Sequence, residues 1–394
     1  MTGAPTGRDI AYRGFRLPAD LGLGAADGVA PGDGGGTVAT PARQLDHGDP
    51  AIRYDAASWT SPPVETGFPV REVIPSWTAD TPPGCWLRVE LRGWHAGAPT
   101  TGWYVLADWA ADDATLPRTS VPGQRDGDAR VETDTLVVAD ATVTGWQARV
   151  TLLRPAGGDA TPVLRTVGAV ASGRHEPPTI GAHRALPGRA GHGRVIEVPR
   201  FSQRRHADGE TRWGGGGDSW CSPTCVSMVL DFWAAGPAPD RYAWVTPPGP
   251  RPVVVHAARH CYDHAYAGAG NWPFNTAYAG LHGMDAFVTR LRSLAEAEEF
   301  VAAGVPLIVS AAFRAGEMPG LDYDTRGHLM VLVGFTVDGD PVLNDPYAPD
   351  DDAVRRTVDR DRFEAAWQAG SGGVAYVIRP ASVPLPPAPA QANW

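Results

Sequence analysis

A change of period near residue 172 limits the fold more than any other feature of the chain. From about residue 50 to 172, apolar and polar residues alternate in CWLRVELRG, TGWYVLADWA, ARVETDTLVV and WQARVTLLR, with turn-rich gaps between them. A period of two puts alternate side chains on opposite faces, so each segment reads as a strand with one buried side. A long run of strands without helices hides those faces most readily as an antiparallel β-sandwich, expected over 51–172. Helical and strand patterns then alternate over 195–380, a second domain, and the fold class is α+β.

Composition describes the rest of the chain. Residues 1–50 are rich in Gly, Pro and Asp (GAADGVAPGDGGG) and are expected to be partly disordered, with IAYRGFRL as an edge strand. Residues 173–194 are dense in Pro, Gly and Arg and read as a linker. The Pro-rich tail 381–394 is expected to be disordered. Within the second domain, SLAEAEEFVAAG opens with a capping box, Ser293 with Glu296, and closes at Gly304.

Charge removes several function classes. A net charge of −10 argues against a nucleic-acid partner, which needs a basic surface. All 34 basic residues are Arg, so Schiff-base and Walker-type lysine chemistry are excluded. No run of 18 apolar residues occurs, and no membrane span is expected. The first residues lack a secretory-signal pattern, which leaves extracellular and cytoplasmic locations both open. Four cysteines (85, 221, 225 and 261) are too scattered for a disulfide framework or a zinc site, and at least one is expected to be a reactive thiol.

Three segments carry the chemistry. In SWCSPTCVSMVLDFW, residues Cys225, Val226, Val229, Leu230 and Trp233 form one helical stripe, and Pro223 suits the first turn. Cys221 then stands at the helix N-terminus, where free N–H groups favour thiolate. The plain alternative is a cysteine that merely packs there, which is the reading adopted for Cys225. GHLMVLVGF is an apolar strand headed by His328; VLNDPYAP ends the next strand at Asp345, one hairpin later. Either residue alone is ordinary, as a surface histidine or a turn aspartate before Pro346. Cys, His and Asp in this order, on these elements, are what a papain-like cysteine hydrolase needs.

With RFSQ upstream, these segments resemble the papain-like cysteine peptidases related to the bacteriocin-leader-processing (double-glycine) peptidases, of the stand-alone actinobacterial type, over about residues 196–380. The resemblance implies Cys221 as nucleophile, His328 as base and acid, Asp345 as orienter, and Gln203 as oxyanion donor beside the Cys221 N–H. Two departures stand out: Cys221-Ser222-Pro223 where many relatives have Cys-Gly-Pro, and the insert RRHADGETRWGGGGDSW between Gln203 and Cys221. A peptide or protein substrate follows from this, with no cofactor. Relatives carry a stretch like YAGAGNWPFNTAYAG near the cleft, so Asn271, Trp272 and Asn275, together with Trp220 beside the nucleophile, are expected to bind substrate, against the alternative of an ordinary packed loop.

The other clusters read more simply. His256, His260 and His264 span more than two helical turns, too far for one ion, so no metal is expected. Half of the 14 Trp lie in the β-rich domain (59, 77, 86, 94, 103, 109 and 146). They are read chiefly as core, with a cell-wall or glycan contact as the other use. DPYAPDDD lacks the ligand spacing of a calcium loop and reads as a solvated turn. A cysteine peptidase is the leading reading. Its rivals are a catalytically silent papain-like scaffold that binds a wall polymer or protein, and an acyltransferase or transglutaminase-like enzyme with the same triad.

Overall fold

Three of the four alternating segments form strands where the pattern places them, whereas ARVETDTLVV is a hairpin, Ala129–Glu132 antiparallel to Thr135–Val138, turned at Thr133 with φ +52°. The computed structural model describes residues 8–139, 142–206, 212–246 and 248–394. Residues 1–7 of the N-terminal segment and 207–211 of the insert lie outside the described residues. Five helices occur among those described: α1 (Cys221–Phe232), α2 (Pro252–Cys261), α3 (Trp272–Leu281), α4 (Leu294–Ala302) and α5 (Arg360–Ser371). None is long and apolar enough to cross a membrane. The chain divides into two units. One comprises Tyr12–Ala171 and Arg259–Phe287; the other comprises residues 8–11, Ser172–Ala258 and Val288–Trp394.

The first unit is a β-sandwich of a seven-stranded and an eight-stranded sheet. Its longest pairing runs Gly145–Pro155 antiparallel to Trp86–His95, from Gly145 opposite Trp94 to Leu153 opposite Trp86. The inward side chains include Trp59, Trp77, Trp86, Trp109 and Trp146, none more than 1% exposed. At about 25 cal/mol per Å², each such ring contributes on the order of 4–6 kcal/mol of burial before conformational entropy is subtracted. Trp94 and Trp103 are only partly buried, and the Arg92 guanidinium lies over both, 5.7 and 4.4 Å from their ring centres.

The Gly-rich stretch after Leu23 is ordered, contrary to expectation. Ala25–Asp27, Val29–Gly32, Gly35–Val38 and Arg43–His47 are all strands. Glycine serves close approach here: a Cβ on Gly35 would stand 2.5 Å from the Leu164 carbonyl oxygen. Residues 259–287 also belong to this unit. Helix α3 packs on the strand Glu72–Asp80, with Phe274 edge-on to Trp77 at 6.1 Å. A Cβ on Gly280 would lie 2.7 Å from Thr78, so only glycine lets the helix sit that close.

The second unit is built on a six-stranded sheet. Its order is Asp285–Arg290, Val374–Arg379, Leu307–Phe313, Thr325–Phe335, Pro341–Asn344, Arg355–Thr357. Trp233, just past α1, donates its indole N–H to the Ile378 carbonyl at 3.0 Å. The capping box at α4 does not form. Ser293 makes no side-chain cap bond, and Glu296 instead accepts the Arg292 N–H (2.7 Å) and its guanidinium (2.8 Å). The helix ends at Ala302, and Gly304 turns the chain at φ +81°.

Two segments expected to be loose are tied down. The stretch 173–194 has no regular strand or helix, yet His183 bonds Glu364 at 2.8 Å and His192 bonds Glu298 at 3.2 Å. His175 donates to the Gln368 carbonyl at 2.9 Å. Both carboxylates are almost wholly buried, so the linker's polar residues supply partners to groups that need them. In the tail, buried Asn393 donates to the Arg290 carbonyl and to Glu296, each at 2.8 Å, and the Trp394 ring packs edge-on to Phe300 at 4.9 Å.

Candidate active site

Cys221 is the first residue of α1 and is half-buried. The loop before it turns through Gly214, Gly215 and Gly216, all at positive φ. Trp220 anchors that loop: it is fully buried and donates its indole N–H to the Trp213 carbonyl at 2.8 Å. His328 stands fourth in the strand Thr325–Phe335 rather than at its head, opposite Ala311, and is 5% exposed. Asp345 follows the strand Pro341–Asn344, its own N–H held by the Val354 carbonyl at 2.8 Å.

These three side chains are brought together. His328 Nε2 meets Asp345 Oδ1 at 2.7 Å. That leaves Nδ1 for the hydrogen bond that His328 makes with Cys221. Burial alone would raise the Cys221 thiol. The hydrogen bond and charge of His328, with the N–H groups of Leu329 and Ser222, outweigh it and bring the thiol below its usual range. Burial likewise disfavours the His328 imidazolium, but the Asp345 and Cys221 partners push its pKa up to about 10. Asp345 is lowered despite burial, by His328 first and then by the Tyr347 N–H and the Tyr323 hydroxyl. Each group favours the charged form of its neighbour, so the two shifts act together toward thiolate beside imidazolium.

Gln203 begins a 3₁₀ turn and is 1% exposed. Its backbone N–H donates to the Pro346 carbonyl at 2.8 Å, next to Asp345, and its Nε2 donates to the Gly217 carbonyl at 2.7 Å. It therefore joins the Asp345 loop to the glycine loop that leads into Cys221. The insert leaves its two described ends hydrogen-bonded to each other. Cys225 lies one turn into α1, wholly buried, with its thiol toward the Leu329 carbonyl at 3.3 Å, and burial raises its pKa.

Three of the four residues expected to bind substrate, Trp220, Asn271 and Asn275, are buried and engaged elsewhere. Trp220 is enclosed and cannot present its ring. Asn271 caps α3 by accepting the Phe274 N–H (3.2 Å) and donates to Asp263 (2.9 Å). Asn275 donates to the Ala269 and Asn271 carbonyls, both at 2.8 Å. The two amides are almost fully buried and satisfy local backbone, and with Trp272 they belong to the sandwich unit. Trp272 donates its backbone N–H to Asp134 at 2.9 Å.

Helix α2 ends at Cys261, so His264 leaves the helix that carries His256 and His260. Among the described residues no three His, Cys, Asp or Glu side chains gather as metal ligands. In the acidic turn, Asp351 accepts the Ser202 N–H at 2.8 Å and pairs with Arg251 at 2.7 Å. Asp351 braces the turn while part-exposed, and Asp350 and Asp352 beside it are exposed, as a solvated turn requires. Two tyrosines at the triad carry no motif of their own. The Tyr323 hydroxyl donates to Asp345 Oδ2 at 3.1 Å, and the Tyr347 N–H donates to Oδ1 at 3.0 Å.

Two family models match the chain, one for each half. The family model for the Peptidase C39 N-terminal domain, in its actinobacterial form, matches residues 11–172. The Peptidase_C39 like family model matches residues 195–374. No curated protein matches the chain. A solved structure of TmCBM61 in complex with β-1,4-galactotriose is similar over 42% of this chain and 90% of its own, at 10% identity and a TM-score of 0.19. So slight a likeness carries no argument about ligand. The two family matches follow one another along the chain, and together they make it a member of the C39-like peptidases, papain-like in fold and of the actinobacterial type.

Proposed function

We propose that the protein is a cysteine peptidase that hydrolyses peptide or amide bonds through Cys221, His328 and Asp345. The observation that supports this best is the hydrogen-bonded line Cys221–His328–Asp345, with the thiol lowered and the imidazole raised. A silent scaffold has no need of a charged pair buried at such desolvation cost. In the reaction, the Cys221 thiolate attacks the substrate carbonyl carbon and forms a C–S bond. The oxyanion takes the Cys221 N–H and the Gln203 amide as donors. His328 gives its Nδ1 proton to the leaving amine as the C–N bond breaks, which yields an acyl-enzyme. Water then attacks the thioester with His328 as base, and the acid departs. Asp345 holds the ring with Nδ1 toward sulfur throughout.

The test is labelling and turnover together. The full chain should be modified at Cys221 by a peptide-based, cysteine-directed electrophile, and should cleave an unstructured protein substrate. Cys221→Ala should lose both. Equal cleavage by Cys221→Ala and wild type would refute the proposal.

A further inference from the structure

Asp345 has two carboxylate oxygens, and their partners differ. Oδ1 takes His328 Nε2 at 2.7 Å and the Tyr347 N–H at 3.0 Å, whereas Oδ2 takes the Tyr323 hydroxyl at 3.1 Å. Tyr323 comes from the loop between the strands Leu307–Phe313 and Thr325–Phe335, five residues before His328. Its ring stands edge-on to the imidazole, 5.5 Å away at 85°. The Tyr323 ring itself packs against Phe313, 5.2 Å away, and Tyr347, 4.7 Å away. Tyr347 approaches His328 as well, at 6.1 Å, and carries the Arg204 guanidinium over its own ring at 4.9 Å. The histidine–aspartate pair thus sits in an aromatic box, and one wall of it donates a hydrogen bond.

From this arrangement we infer that Tyr323 is a positioning residue of the triad: its hydroxyl holds Asp345 Oδ2 so that Oδ1 faces His328, while its ring keeps water from the pair. The inference rests on the proposed cysteine-peptidase reading. Without the hydroxyl, the carboxylate can rotate about its last bond and offer either oxygen to the imidazole. Rotation would loosen the ring whose Nδ1 must point at sulfur, and a small misplacement is costly in a pre-organised site. The hydroxyl also stabilises the charged carboxylate, because a donor to the ionised form favours it. No proton needs to leave Tyr323: burial and the nearby Asp345 charge push its ionisation far up, which suits a permanent donor. The charged or titratable groups around the pair are Cys221, Cys225, Tyr323 and Tyr347, with Arg204 over the Tyr347 ring.

Tyr323→Phe removes one oxygen and keeps the ring, so the aromatic box survives. The experiment measures two profiles over pH 4–11 on the full chain: hydrolysis of an unstructured protein substrate, and alkylation of Cys221 by iodoacetamide. With one of three donors gone, Asp345 protonates at higher pH and supports His328 less. The acid limb of both profiles should move up by on the order of 1 unit, and kcat should fall roughly 5- to 50-fold with KM nearly unchanged. Tyr323→Leu should add a loss of Tm that Tyr323→Phe does not show, because it also empties the box. If Tyr323→Phe superimposes on wild type in both profiles, the inference is overturned and the residue is packing only. A wild type without turnover would count against the peptidase reading alone, since the alkylation profile still reports whether the hydroxyl supports the triad.

Discussion

Replacing Asp345 by Asn keeps the side chain's shape and removes its charge, and it should close the reactive pH window from both sides. In the native site three donors converge on the carboxylate, from His328, Tyr323 and Tyr347. An amide has one acceptor oxygen, and its NH₂ must face at least one of those donors. His328 is held at about 10 against burial, with the Asp345 hydrogen bond its largest support. If that support goes and the imidazole returns only to its ordinary 6.5, roughly 3% of the imidazolium remains at pH 8. The signs follow from the two shifts. The raised histidine keeps its proton up to about pH 10, and the lowered cysteine loses its own below its usual range, so the thiolate–imidazolium pair exists between these limits. In Asp345→Asn the upper limit falls and, with a weaker imidazolium beside it, the thiol limit rises. Together with lost ring orientation, kcat/KM at neutral pH should drop about 10²- to 10⁴-fold. The assay is iodoacetamide alkylation of Cys221 from pH 4 to 11, alongside substrate hydrolysis, with circular dichroism to verify the fold. A folded variant with the wild-type profile would show that Asp345 does not govern the pair.

Other consequences can be read as directly. Iodoacetamide at pH 6 should modify Cys221 well before the other cysteines, because burial raises Cys85 to about 11 and also holds Cys225 and Cys261 well above the usual thiol range; peptide mapping that found Cys225 first would displace the nucleophile by one turn. Gln203→Ala should lower kcat by roughly 10²–10³ if its amide meets the oxyanion, measured in single turnover, and a silent variant would point to another donor. Deletion of residues 391–394 removes the buried Asn393 bonds and the Trp394–Phe300 contact. It should cost about 2–4 kcal/mol and lower Tm by several degrees in calorimetry; an unchanged Tm would mean that the tail does not hold the unit together.

What could be read in advance depended on how local the causes were. Cys221 was legible because a helix start leaves its mark within a dozen residues: a stripe of apolar positions, a proline in the first turn and a cysteine ahead of them. His328 and Asp345 were legible because one short hairpin joins their strands, so distance along the chain stands in for distance in space. The capping box failed for the same reason in reverse. Ser293 and Glu296 have the right spacing, but Arg292, one residue outside the motif, binds the carboxylate with two donors. For the tail and the linker, composition points to loose chain that distant partners in fact hold. Polar, Pro-rich chain stays ordered when buried carboxylates such as Glu298 and Glu364, or a backbone carbonyl such as that of Arg290, need its donors, and those partners lie about 100 to 180 residues away. Helix α3 is the deepest case. Eight of its ten residues are buried, so no polar face reveals its orientation. Its partner strand, Glu72–Asp80, precedes it by about 190 residues, and the two meet through Thr78 against Gly280. A glycine within a helix was the one local trace of that contact, because a backbone brought this close to a strand excludes every other residue. Asn271 and Asn275 resemble groove residues for the same want of context: an amide beside aromatics suits a ligand or a buried acceptor equally well, and here Asp263 takes the Asn271 donor and the Ala269 and Asn271 carbonyls take that of Asn275.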